Sequence, residues 1–141
     1  NETLSVVTAK NSKFSGRKSI KLSELADESI LVLSESVAPI VYMEIMDLFR
    51  TFHITPKIEN SFDDLVSIYV SSSSGIGVSV IPTSVAAYTS DEYTDSYLID
   101  DADTSIAYVM AWEKNISNPA AKLFMEAVKK YAKGDDNIYG L

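Results

Sequence analysis

Short apolar runs alternate with amphipathic stretches along most of this chain. Residues 4–9 and 29–33 are apolar runs rich in β-formers, and each predicts a strand. Apolar side chains then recur at helical spacing over residues 39–52, and Pro39 suits the first turn of that helix. Strands that alternate with helices predict an α/β fold, with a mostly parallel sheet covered by helices on both faces.

The remaining elements continue this alternation. We predict one helical turn at 22–27, strands at 57–59, 78–81, 97–99 and 105–112, and helices at 62–74, 83–88 and 119–133. Gly75 is expected to end the second long helix in a left-handed conformation. Ser61 and Asp64 are predicted to cap the start of that helix, with the acid at its third position.

Composition bounds the class of protein. The 141 residues are 46% hydrophobic and 23% charged, which is typical of one folded domain or a large piece of one. The chain has no cysteine, so disulfides, thiolate metal sites and cysteine nucleophiles are excluded. No apolar run approaches the length of a membrane span. The chain begins with Asn1 and not with Met, so we expect this end to be a boundary or a processed end.

The charge of the chain does not favour direct contact with DNA. The formal net charge is -8, whereas proteins that bind DNA phosphates need clustered Lys and Arg. Five basic residues within 10–21 are scattered through a predicted loop, and we interpret them as a solvated surface. If the protein acts on DNA, another domain must make the contact.

No motif indicates catalysis, a metal or a cofactor. Gly75-Ile76-Gly77 follows a predicted helix and precedes a strand, which is the reverse of the dinucleotide-binding order. His53 is the only histidine, and its position predicts a helix end. The acidic residues at 100–103 lack the glycine and distal Glu of a calcium loop and are interpreted as a turn. We find no nucleophile-base pair, and we expect no enzymatic activity and no catalytic residues.

Motifs in a fixed order suggest a family. VSSSSGIGVSVIP at 70–82 consists of small residues, Gly-x-Gly-Val, an apolar run and proline. The other motifs are LSVVTAKNSKFSG at 4–16, IKLSELAD at 20–27, ITPKI at 54–58 and SNPAA at 117–121. Together, over about residues 4–133, they resemble the effector-binding domain of LysR-type transcriptional regulators. Ser12-Lys13 departs from that resemblance, because the family usually has His-Pro there.

The resemblance implies a fold of two α/β lobes of the periplasmic-binding-protein type II. In that comparison residues 1–9 are a strand that crosses from the first lobe, and residues 10–108 form the second lobe. Residues 109–134 return to the first lobe, and 135–141 form a tail. The opening part of the first lobe and the helix-turn-helix domain are then outside this chain. Apolar surface on the last helix is expected to be exposed as a result.

The resemblance also implies a function. It is that of a cytoplasmic bacterial sensor, in which a small organic acid or amphoteric metabolite binds between the lobes. Binding would modulate a helix-turn-helix domain, which is the part of the whole protein that contacts DNA. The resemblance also implies a homo-dimer or tetramer, with no cofactor and no membrane contact. The alternative is a lobe of a solute-binding protein for a transporter, because the two classes share a fold.

Two strand-to-helix junctions are the candidate site. Ligands in open α/β sheets bind beyond the carboxyl ends of strands, and helix N-termini there favour anions. These junctions lie at residues 34–42 and 60–64. The resemblance assigns ligand contacts to residues in both, namely Ser36, Pro39, Ile40, Val41, Ser61, Phe62 and Asp63. Glu35, Asp63 and Asp64 are acidic and no arginine lies close in sequence, so an amine-bearing, amphoteric or neutral ligand stays open.

Overall fold

The computed structural model describes residues 2–89, 92–107 and 109–132. Seven strands are present there: β1 (Glu2–Ala9), β2 (Ser19–Ile20), β3 (Ser29–Leu33), β4 (Lys57–Phe62), β5 (Val78–Pro82), β6 (Thr94–Ile99) and β7 (Ser105–Ile106). Four α-helices accompany them: α1 (Pro39–Thr51), α2 (Leu65–Ser73), α3 (Thr83–Thr89) and α4 (Pro119–Ala132). A 3₁₀ turn spans Leu22–Leu25. The chain divides into two compact units, residues 1–108 and residues 109–141.

One sheet organises the first unit. Its strand order is β2-β6-β1-β5-β3-β4, and β7 pairs with β1. β3 runs parallel to β4 and β5, and β2 runs parallel to β6. β1 runs antiparallel to β5, β6 and β7, so the sheet is mixed, and β4, β3 and β5 form its three-stranded parallel part. The α/β class that the sequence predicted is confirmed.

Helices cover both faces of the sheet, as predicted. Val6 and Val7 are neighbours on β1, yet they belong to two different core clusters, because successive side chains of a strand point to opposite faces. Val6 shares its cluster with Ile45, Leu48 and Phe49 of α1. Val7 packs with Ile68 of α2 and Ala86 of α3. The core therefore lies in two layers, one on each side of the central strands.

Local chemistry explains several element boundaries. α1 begins at Pro39 as predicted, and His53 follows its end with a φ of 56°, the left-handed conformation that suits a helix terminus. Gly75 has a φ of 74° just after α2, which confirms the predicted left-handed stop. Pro82 is the last residue of β5.

The predicted start of α2 is wrong. The helix begins at Leu65 and not at residue 62, because Ser61 and Phe62 continue β4 alongside β3. The predicted capping pair therefore does not form. Asp64 is itself the N-cap, and its Oδ1 accepts a hydrogen bond of 2.8 Å from the Ser67 N–H.

Two predicted strands also differ from the observed ones. β6 begins at Thr94, three residues earlier than predicted, because its first residues pair with the end of β1. The strand predicted at 105–112 ends at Ile106, since only Ser105 and Ile106 pair with β1. Residues 109–118 contain no regular element.

The second unit is described by the segment after residue 109 and by α4. No residue of 109–131 is buried, and Val109, Leu123, Phe124 and Tyr131 are each more than 60% exposed. This agrees with the expected exposure of apolar surface on the last helix. The end predicted at residue 133, Gly134 and the tail at 135–141 lie outside the described residues.

Candidate ligand-binding site

The two candidate junctions lie side by side at one edge of the parallel part of the sheet. β3 and β4 are parallel neighbours, and their last residues, Leu33 and Phe62, are register partners. The loop 34–38 then leads from β3 into α1, while residues 63 and 64 lead from β4 into α2. Two helix starts therefore follow two adjacent strand ends, which is the usual location of a ligand in this class of sheet.

Ser34 joins the two junctions. Its N–H donates to the Phe62 carbonyl at 2.8 Å, and its hydroxyl donates to Asp63 Oδ1 at 2.7 Å. The same hydroxyl lies 2.9 Å from the Ser36 hydroxyl. Ser36 and Asp63, which are 27 positions apart in sequence, are thus held together through one side chain. Ser34 was not among the assigned contact residues, although its position as the first residue after β3 would have indicated it.

The start of α1 presents backbone donors. The N–H groups of Val37 and Ala38 both donate to the Ser34 carbonyl, which closes a tight turn before the helix. Pro39 has no N–H, and Ala38 has no side chain that could cap the helix. Since the helix begins at Pro39, the N–H groups of Ile40 and Val41 lie in its first turn and have no carbonyl of an earlier turn to which they could donate. They are the groups that an acceptor atom of a ligand could use.

The start of α2 is different because its own side chain caps it. Asp64 Oδ2 accepts from the Ser67 hydroxyl at 2.7 Å, in addition to the backbone bond at Oδ1. The hydrogen bonds from the Ser67 backbone and hydroxyl lower the pKa of Asp64 below its ordinary value. Both carboxylate oxygens of Asp64 therefore accept hydrogen bonds within α2. The neighbouring Asp63 is also exposed, but its hydrogen bond is with Ser34.

The assigned contact residues fall into two groups by exposure. Ser36, Pro39, Ile40, Ser61 and Asp63 are exposed. Val41 is half-buried against the core cluster beneath α1, and Phe62 is half-buried against the cluster beneath α2 and α3. The structure therefore exposes hydroxyl and carboxylate groups at this edge together with Pro39 and Ile40, and directs Val41 and Phe62 towards the core.

The site is acidic. Glu35, Asp63 and Asp64 are all exposed there. Five of the seven basic side chains of residues 2–107 form ion pairs that do not involve this edge: Lys10–Asp95, Lys13–Glu28, Arg17–Glu24, Arg50–Asp47 and Lys57–Asp27. Three of these bonds belong to the basic residues of 10–21, whose predicted role as a solvated surface fits their exposure.

Neither a metal site nor a membrane span is found in the part of the chain that the structure describes. No group of three or more His, Asp or Glu side chains within it could hold a metal ion. No helix within it is long and apolar enough to cross a membrane.

A parallel strand pair with two adjacent helix starts defines an α/β ligand-binding lobe. The particular family follows from a family model: the LysR substrate binding domain matches residues 1–133. The chain belongs to this family, as the ordered motifs had indicated.

A curated relative agrees with this assignment. It is an uncharacterized HTH-type transcriptional regulator of Escherichia coli strain K12, YnfL, and it is 27% identical over 105 residues. The match covers 74% of this chain but 35% of the relative. The chain thus spans about a third of the length of that relative.

Solved structures share the fold. The effector binding domain of QuiR in complex with shikimate matches with a TM-score of 0.68 and 24% identity, over 94% of this chain and 63% of that one. HinK, a LysR family transcriptional regulator from Pseudomonas aeruginosa, matches with a TM-score of 0.75 and 16% identity, over 89% and 44%. The regulatory domain of Synechocystis PCC6803 CcmR in complex with 2-PG gives 0.70 and 14%, over 94% and 64%. At these identities the matches establish the fold, which is the predicted lobe of the periplasmic-binding-protein type II.

Proposed function

We propose that this chain is the effector-sensing part of a bacterial LysR-type transcriptional regulator. A small organic acid or amphoteric metabolite binds at the edge formed by the carboxyl ends of β3 and β4. The observation that carries this proposal is the Ser34 hydrogen-bond network, because it holds Ser36 and Asp63 together at two adjacent helix starts. Membership of the LysR substrate binding domain family supports the same function.

The proposed organisation follows the two-lobe pattern of the family. Residues 1–9 cross from a first lobe, residues 10–108 form the second lobe, and the chain returns to the first lobe from residue 109 onwards. The division of the structure between residues 108 and 109 supports this organisation. So does the exposure of apolar side chains after residue 109, which a further part of the first lobe would cover.

The proposed mechanism is a population shift. An effector that contacts both lobes binds one arrangement of them more tightly than the other and so favours it. In the whole protein, a dimer or tetramer in the cytoplasm, the shift reaches DNA through a helix-turn-helix domain outside this chain. The net charge of -8 supports the separation of sensing from DNA contact.

Two other classes receive less support. A lobe of a solute-binding protein is not favoured, because the matching family and the curated relative are of the regulator class. We also propose that the chain catalyses no reaction. The site supplies hydroxyls, a carboxylate and helix N–H groups, which can bind a ligand without forming a nucleophile-base pair.

Ligand mapping on the 141-residue chain tests the proposal. A metabolite screen by thermal shift identifies binders, and amide chemical shifts of ¹⁵N-labelled protein then locate them. Binders are expected to shift the amides of residues 34–41 and 60–67. Ser34→Ala should weaken their binding, whereas Ser19→Ala should not. Ser19 is a matched control, because its hydroxyl also donates to an aspartate, Asp100, and it lies on β2, the edge strand farthest from β4.

Two results would contradict the proposal. Binders whose shifts all lie away from residues 34–41 and 60–67 would refute the site. Conversion of a binder to product, abolished by Asp63→Asn, would refute the non-catalytic role.

A further inference from the structure

We infer that the effector carries a cationic nitrogen, such as an ammonium group, which binds the Asp63 carboxylate beside the start of α1. This inference rests on the proposed function, since it names the class of ligand for that site. It makes Asp63 the residue that determines the charge of the ligand. The location of the site comes from the family and from the two adjacent strand ends, and the charge of its side chains decides the ligand class.

The first argument is the state of the Asp63 carboxylate. It is exposed at the edge, and its Oδ1 accepts one hydrogen bond, from the neutral hydroxyl of Ser34. None of the five ion pairs among the described residues includes Asp63. A carboxylate that is positioned by a hydroxyl, and that forms no ion pair with the described residues, offers a charge-assisted hydrogen bond to an incoming ammonium group.

The second argument is the distribution of basic side chains in residues 2–107. Five of the seven are held in ion pairs elsewhere, and the other two, Lys18 and Lys21, flank β2. β2 and β4 are opposite edges of the sheet, five strand spacings apart, or about 24 Å. Lys57 lies at the opposite end of β4 from Phe62, about 16 Å along the strand, and pairs with Asp27. Residues 2–107 therefore provide no basic side chain at the carboxyl ends of β3 and β4 that could neutralise a carboxylate ligand lying against Asp63.

The third argument concerns the other end of the ligand. No side chain caps the start of the 13-residue helix α1, so the N–H groups of Ile40 and Val41 can donate to an acceptor atom of the ligand. Asp63 is linked to the start of this helix by Ser34, whose hydroxyl donates to Asp63 and whose carbonyl accepts from the N–H groups of the turn that precedes Pro39. An amphoteric molecule fits both features, with its cationic group at Asp63 and its anionic or carbonyl group at α1.

Matched probes test the charge of the ligand. L-Serine, ethanolamine and glycerate are similar in size, and they are amphoteric, cationic and anionic, respectively. Each is titrated into the ¹⁵N-labelled 141-residue chain, and the shifts of residues 34–41 and 60–67 give its apparent affinity. We expect the two amines to bind these residues and glycerate to bind at least threefold more weakly.

Variants assign the preference to Asp63. Asp63→Asn keeps an oxygen that can accept from Ser34 and removes the charge, so it should lower the affinity for the amines about three- to tenfold. Asp100→Asn is the matched control, because Asp100 also accepts from a serine hydroxyl, at 2.5 Å from Ser19, on the other edge. It should leave the amine affinity unchanged.

The outcomes separate this inference from the proposed function. If glycerate shifts the site amides at least as strongly as the amines, or if Asp63→Asn leaves the amine preference intact, the ligand class is wrong and the site stands. If no probe shifts these amides, the inference is overturned. If, in addition, every binder from the metabolite screen shifts only amides outside residues 34–41 and 60–67, the proposed site is refuted as well.

Discussion

Gly77 fixes the spacing between β5 and the start of β3, and replacing it by alanine should disturb both. A Cβ built at residue 77 lies 2.5 Å from the Ser29 carbonyl oxygen and 3.0 Å from two side-chain carbons of Leu31. The oxygen belongs to backbone that is held in the sheet, since Ile30 pairs with Val78 and with Ile58. The added methyl group therefore forces β3 away from the segment that enters β5.

The expected loss of stability follows from two opposing effects. Inserting a methyl group into a well-packed site costs about 1–3 kcal/mol. Replacing Gly by Ala also restricts the unfolded chain, which stabilises the protein by about 0.4–1 kcal/mol. The net effect of Gly77→Ala is a loss of about 1–2 kcal/mol. With a urea m-value of about 2 kcal/mol/M, the midpoint of unfolding falls by about 0.5–1 M.

Urea unfolding followed by far-UV circular dichroism measures this loss, and amide chemical shifts report on β3. Gly16→Ala is the control, because no atom lies within 4 Å of its Cβ and its cost comes only from the φ of 82°. Gly77→Ala should shift the amides of residues 29–34, including Ser34 of the candidate site, whereas Gly16→Ala should not. If Gly77→Ala unfolds within 0.2 M of the wild type and leaves those amides in place, the close approach does not constrain β3.

Three further predictions concern single side chains. Asp64→Ala should lower the melting temperature, because it removes the N-cap of α2, and Asp64→Asn should largely preserve it. Ser67 lowers the pKa of Asp64 in the folded protein. The stabilisation by the Asp64 carboxylate is therefore complete above its ordinary pKa of 3.8 and is lost as the pH falls through its lower pKa in the folded state. Equal melting temperatures at pH 7 and pH 3 for wild type and Asp64→Ala would contradict the cap. Arg17 holds the pKa of Glu24 at about 2, so carboxyl NMR titration of Arg17→Gln should show it moving up towards 4.5, and an unmoved value would refute that ion pair. His53→Gly should stabilise the protein by about 0.5–1 kcal/mol, because glycine adopts its φ of 56° without strain, and destabilisation in urea unfolding would contradict this.

The candidate site shows where sequence reasoning succeeds and where it stops. The two junctions could be predicted, because each is a strand end followed by a helix start and both have local signals. Their contact through Ser34 could not, since it depends on β3 and β4 being parallel neighbours in a register that ends at Leu33 and Phe62. The half-buried positions of Val41 and Phe62 likewise depend on which sheet face each helix covers.

The sequence by itself determined the features that short-range chemistry controls. β3 at 29–33, the start of α1 at Pro39, the end of α1 before His53 and the left-handed Gly75 follow from apolar runs, proline geometry and helix termination. Only the tertiary structure decided the antiparallel course of β1, the extension of β4 to Phe62 and the ending of β7 at Ile106. These three depend on hydrogen bonds to strands distant in sequence, and a pattern of side chains along the chain does not specify the partner of a strand.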